Sequence, residues 1–97
     1  MNITDVRVKI LRRTDSKMKA VASVIIDNDF VVHDVKVIEA DDGLFIVMPS
    51  RKMPDGDFRD IAHPLRTEVR EYMRDLVLNA YQKAKAEAAN NPPPHYE

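Results

Sequence analysis

The sequence predicts an α+β domain: an antiparallel β-meander of four or more strands, with a C-terminal α-helix packed on the sheet, assembled as a dimer. Three observations carry this reading. Four apolar segments ending at Met48 are joined by short polar turns, and strands joined that way pair antiparallel in sequence order. Beyond Pro64 the apolar residues recur at spacings of three and four instead of two. The fourth segment is apolar on both faces, whereas a single helix covers only one face of a sheet. That surplus, and the two open edges of an isolated meander, disappear if two copies associate with twofold symmetry.

In residues 3–12, Val6, Val8 and Ile10 alternate with Arg7 and Lys9, the period of a half-buried strand. Arg13-Thr14-Asp15-Ser16-Lys17 reads as a polar turn, and residues 18–26 as a second strand. Asp27-Asn28-Asp29 is a tight turn, because Asn and Asp tolerate positive φ and bond their own backbone. A third strand runs from Phe30 to Glu39. Asp41-Asp42-Gly43 turns the chain again, with Gly43 at the left-handed position of a three-residue hairpin. The fourth strand is 44–48.

Between Pro49 and Pro64 lies a loop with a turn at Pro54-Asp55-Gly56. It presents Arg51, Lys52 and Arg59, and loops fixed by a rigid scaffold are where binding residues tend to sit. The helix is expected from about Leu65 to about Ala88, with Pro64 suited to its first position. Leu65, Val69, Tyr72, Met73, Leu76 and Ala80 form its apolar stripe, and the alanine-rich end from Ala84 to Ala89 has little to bury. Residues 1–88 thus form one domain, and 89–97, with three consecutive prolines, a disordered tail.

Composition excludes several classes. The 97 residues include no cysteine, so neither a disulfide framework nor a thiolate metal site exists. No apolar run approaches the roughly 18 residues of a membrane span. The N-terminus does not read as a signal peptide, and the expected location is the cytoplasm. With two glycines in the whole chain, phosphate-cradling backbone motifs are absent. The net charge of −1 hides an asymmetry: residues 1–26 are strongly basic and residues 27–48 strongly acidic. Cross-strand pairing of a basic hairpin with an acidic one explains this most simply; a polyanion-binding face is the other explanation.

Candidate catalytic clusters are weak. His33 and Asp34 are adjacent on a strand and so should point to opposite faces. Asp55, Asp57 and Asp60 lack the pattern and closing glutamate of a calcium loop. Asp60 and His63 read as helix capping. No enzyme, cofactor, metal or small-molecule substrate is expected. Binding has better material: Arg51, Lys52 and Arg59 on the loop, then Arg66, Arg70 and Arg74 every four residues along one helix ridge. Taken alone, these residues support a nucleic-acid grip and a protein-interaction adaptor equally.

Four stretches carry a further resemblance: Thr4-Asp5-Val6-Arg7, Phe30-Val31-Val32-His33-Asp34-Val35-Lys36-Val37-Ile38, Gly43-Leu44-Phe45-Ile46-Val47-Met48-Pro49-Ser50-Arg51-Lys52, and Pro54-Asp55-Gly56-Asp57-Phe58-Arg59-Asp60-Ile61-Ala62-His63-Pro64. In this order, across about residues 2–82, they closely resemble the SpoVG family (stage V sporulation protein G). The resemblance implies a small bacterial regulator with an antiparallel sheet and a C-terminal helix, dimeric, binding DNA and in some members RNA. It implies a part in sporulation and septation, or in cell-surface and virulence gene expression where the source does not sporulate. It places nucleic-acid contact at Arg51 and Lys52 and sequence preference at roughly Leu65 to Arg70. Here Leu65-Arg66-Thr67-Glu68 departs from the serine- and asparagine-rich helix start of the family, so the preferred sequence does not carry over. With the resemblance added, the expected partner is DNA or RNA, with Arg51, Lys52, Arg59, Arg66 and Arg70 as the contact set.

Overall fold

A computed structural model describes residues 1–12 and 16–90. Of the predicted turn at 13–17, Arg13 to Asp15 lie outside the described residues, as do residues 91–97 of the predicted tail. The elements are β1 (Ile3–Ile10), β2 (Met18–Ile26), β3 (Phe30–Ala40), β4 (Gly43–Val47), β5 (Ser50–Lys52), β6 (Phe58–Asp60) and α1 (Thr67–Asn90). The first four form one antiparallel sheet in the order β1-β2-β3-β4, as the short connections require. β1 stops at Ile10, although Leu11 still donates its amide to the Lys19 carbonyl at 2.9 Å.

The turns follow their sequence chemistry. Asp27 and Asn28 both take positive φ, 54° and 56°, and the Asp29 amide bonds the Ile26 carbonyl at 2.9 Å. That is a type I′ turn, whose twist suits a hairpin. Thr4 straps it down: its hydroxyl oxygen accepts from the Asn28 amide at 3.0 Å. Gly43 has φ 133°, a conformation that side chains rarely adopt. Because Ala40 pairs directly with Gly43, the loop proper is the two residues Asp41 and Asp42, not three.

One face of the sheet is packed. Ala20, Ala22, Val24, Val35 and Val37 are fully buried beneath α1, together with Met48, Met73, Val77 and Tyr81. Small alanines on β2 let the helix approach, while its backbone comes nearest the two edge strands, β1 and β4. The Tyr72 hydroxyl accepts the Ile3 amide at 3.1 Å, tying the start of β1 to the helix. The stripe differs from expectation. Its centre is Met73, Val77 and Tyr81, each a turn apart, while Tyr72 sits at the flank, 38% exposed.

The helix also starts later than predicted. The Arg66 carbonyl accepts the Val69 and Arg70 amides at 3.2 and 3.1 Å, so Arg66 holds the cap position and Pro64 lies outside. Leu65 is 93% exposed; one more turn toward the N-terminus would have had nothing to cover. At the other end α1 continues to Asn90. No helix among the described residues is long and apolar enough to cross a membrane.

Among the described residues no element covers the opposite face of the sheet, and Phe45 is left 43% exposed and Val31 40% exposed. This is the apolar surplus seen in the fourth segment.

Candidate nucleic-acid interface

The segment expected to be a loop is a second, two-stranded sheet. The Met53-Pro54-Asp55-Gly56 turn closes with the Gly56 amide on the Met53 carbonyl at 2.9 Å. Proline presets the second position, and Gly56 supplies φ 93°. The Asp55 carboxylate accepts the Asp57 amide at 3.0 Å, and the Met53 amide donates to the Asp57 carbonyl at 2.6 Å. β5 and β6 then pair antiparallel, and the Ile61 amide bonds the Pro49 carbonyl at 2.7 Å, extending the ladder to its base. β5 and β6 pack on each other and on no other element, so the hairpin stands clear of the main body.

Pairing decides which cations act together. Arg51 lies directly opposite Arg59, and Lys52 opposite Phe58. Because side chains alternate along a strand, Arg51 and Arg59 share one face with Met53 and Ile61, while Lys52 leaves the other. Arg51, Met53, Arg59, Asp60 and Ile61 line an open cavity of about 340 Å³. The structure thus brings Arg51 together with Arg59 and separates Arg51 from Lys52. The signal for the hairpin was present in the sequence: a Pro-Asp-Gly turn flanked by two short polar arms.

Among the described residues these cations form no close ion pair, although Asp60 lines the same cavity as Arg51 and Arg59. Among the described residues, the ion pairs are Arg7–Asp5 at 3.1 Å, Arg66–Glu68 at 4.0 Å and Arg74–Asp75 at 3.0 Å. Arg51, Lys52, Arg59 and Arg70 are in none of them, although Asp55, Asp57 and Asp60 stand on the same hairpin. Like charges placed directly across a ladder are destabilising. The Arg51–Arg59 pair therefore costs stability that an anion bound between them would recover.

The helix contributes less than the sequence suggested. Arg66 at the cap and Arg70 one turn on are exposed, and the Arg66–Glu68 contact, between highly exposed side chains, is worth little. Arg74 is half-buried and engaged: its Nε and Nη2 both donate to Asp75 Oδ1, at 3.2 and 3.0 Å.

Two further expectations are corrected. Asp60 and His63 cap nothing; Asp60 is in β6, and His63 Nδ1 lies 2.9 Å from the Pro64 carbonyl oxygen. His33 and Asp34 do not simply alternate. A bulge between Ala22 and Val24 sets both against Ser23, Asp34 takes φ 65°, and His33 Nδ1 lies 2.9 Å from Ser23 Oγ. Among the described residues no group of three or more His, Cys, Asp or Glu is placed to hold a metal ion.

Comparison with known proteins bears on this arrangement. A family model described as SpoVG matches residues 1–83, which span the whole sheet, the hairpin and most of the helix. The chain belongs to the SpoVG family. Among its relatives is a protein of Clostridium perfringens named "Putative septation protein SpoVG", 58% identical over 85 residues, covering 88% of this chain and 93% of that protein. A Lachnospira eligens protein of the same name is also 58% identical, covering 88% and 96%. One from a Thermoanaerobacter species is 56% identical over 89 residues, covering 92% and 96%. The SpoVG family is thus represented by proteins named for septation and not for a reaction.

Proposed function

We propose that this chain is a cytoplasmic, homodimeric regulator that binds DNA or RNA mainly through phosphate contacts, without enzymatic activity, and that it influences gene expression linked to septation, sporulation or the cell surface. The link to septation rests on the names of its relatives. The single observation that carries the binding reading is the unpaired Arg51–Arg59 couple on a hairpin standing clear of the body. Arginine makes bidentate contact with phosphate. A hairpin that protrudes can reach a duplex backbone. Lys52 extends the contact from the hairpin's other face, and Arg66 and Arg70 are candidates for base or further phosphate contact.

Dimerisation is supported by the same segment. An isolated two-stranded hairpin is marginal in water. This one leaves Phe58 and Ile61 exposed by 68% and 66%, followed by Leu65 at 93%. Covering each of these side chains is worth about 1.5–3 kcal/mol. A second copy seated on Phe58, which leaves the hairpin face opposite the arginine couple, and on Leu65 would cover both and double the set of arginines. The same apolar side chains favour the second reading, an adaptor that uses the hairpin to hold a different protein.

Fluorescence anisotropy with random-sequence DNA and RNA duplexes, for the parent and for Arg51→Ala/Arg59→Ala, separates the two. The proposal requires parent binding that the double variant loses on all sequences alike. Parent binding that ignores the substitution, or no binding at all, rejects the grip and leaves the adaptor.

A further inference from the structure

The charge asymmetry of the sequence has an unexpected outcome in the sheet. Cross-strand pairing of basic with acidic hairpins does not occur among the described residues: the one ion pair on the sheet, Arg7–Asp5, lies within β1. Asp27, Asp29, Asp41 and Asp42 are in turns, while on the strands Asp5, beside Arg7, and Asp34, in the bulge at Ser23, stand against the cations Arg7, Lys9, Lys19 and Lys36. The register lines up Lys9, Val21, Lys36 and Val47 across all four strands, on the face that α1 does not cover. Adjacent rows on that face hold Arg7, Ser23 and His33, and the pair Ile38–Phe45, with Lys19 in the bulge beside Met18. Lys9, Lys19 and Lys36 take part in no ion pair among the described residues. Lys36 is half-buried between the two valines.

We propose that this uncovered face is a second nucleic-acid surface, which takes an unpaired strand. It is independent of the hairpin grip, and each stands or falls without the other. The three unpaired lysines count against a second copy as occupant, because a contact between two copies of this face would bring like charges together. The apolar residues among them exclude a duplex, which stacks its bases inward and offers a flat sheet only phosphates. A single strand satisfies both kinds of group. Its phosphates meet Lys9 and Lys36, Arg7 being held by Asp5, and its base faces lie on Phe45, Val47 and the His33 ring. The face, about 14 Å across four strands, is wide enough for a strand to lie along it. The Ser23–His33 hydrogen bond holds the imidazole beside the row.

The test uses the full chain with labelled oligothymidylate, oligouridylate and a random duplex of equal length, by anisotropy. In Lys36→Gln/Phe45→Thr, affinity for at least one of the two single strands should fall about fivefold or more, while duplex affinity is unchanged. Arg51→Ala/Arg59→Ala should show the opposite pattern. Lys9→Gln, exposed on the edge strand β1, should weaken single strands in the same sense as the central variant. The proposal fails if the parent binds neither single strand, or if the face variants lower single-strand and duplex affinity equally or leave both unchanged. It fails also if oligoglutamate of matched charge displaces the strand as well as unlabelled oligothymidylate, which would make an acidic peptide the occupant. A parent dimer that becomes monomeric in Lys36→Gln/Phe45→Thr would identify the face as a contact between copies and likewise overturn it.

Discussion

Removing one arginine of the hairpin couple should make the protein more stable and a weaker binder. Arg59 faces Arg51 directly across the β5–β6 ladder, and neither has a carboxylate within ion-pair distance among the described residues. Cβ atoms of directly opposed residues are about 5 Å apart. Two unit charges at that distance would repel by about 0.8 kcal/mol in the dielectric of water, or about 0.4 kcal/mol with physiological screening, an upper bound because the guanidinium groups at the ends of the side chains can stand farther apart than the Cβ atoms. Arg59→Gln keeps a polar, hydrogen-bonding side chain, though a shorter one, and removes the repulsion. For a domain of this size, 0.4 kcal/mol corresponds to a rise in Tm of about 2–3 °C. The gain should shrink as salt is raised, because salt already screens the pair. In the same variant, one phosphate contact per subunit is lost, so the salt slope of binding by a dimer should become less negative by about 2. Differential scanning calorimetry and anisotropy on the same samples read both quantities. An Arg59→Gln protein that melts lower than the parent and binds with an unchanged slope would show the couple to be structural, and the reasoning would fail.

Other outcomes follow from the same geometry. Because Arg51 and Lys52 leave opposite faces of β5, Lys52→Ala should weaken duplex binding less than Arg51→Ala does; equal losses would mean both hairpin faces touch the backbone equally. Arg66→Gln should change the ranking among DNA sequences more than the average affinity if Arg66 reads bases, which a randomised-site selection measures directly. Gly56→Ala forces a side chain into φ 93° and should cost about 1–2 kcal/mol of hairpin stability, seen as faster amide exchange at Met53 and Ile61 and no change in the main sheet. Met73→Ala, on the buried face of the helix, should lower global stability by about 2–5 kcal/mol in urea melts, with the far-UV spectrum of the folded state retained.

Much of the architecture was legible because local chemistry and global fold agree. The turns at Asp27-Asn28 and Gly43 announce themselves through residues that tolerate positive φ, and the alternation in β1 states its buried face. The hairpin was half-legible: the Pro-Asp-Gly turn could be read, but arms of three residues, with Phe58 their one apolar side chain, carry no apolar alternation. Missing those strands hid the pairing of Arg51 with Arg59, since only strand geometry sorts neighbours onto opposite faces. The bulge at Ser23 depends on how β2 and β3 meet, and nothing in His33-Asp34 signals it. The helix stripe was read one position off its centre because Leu65 fits the spacing but meets no sheet. Val77 and Tyr81, which do meet it, fit the same four-residue spacing from Val69 and Met73.

The salt dependence of duplex binding, measured on a sample whose mass is fixed by light scattering, tests the central claim most directly. If each subunit of a dimer neutralises three phosphates, the logarithm of affinity should fall with the logarithm of salt at a slope near −5 between about 50 and 300 mM. A dimer mass with that slope is the predicted result. A monomer mass, or a slope near zero, would contradict the account.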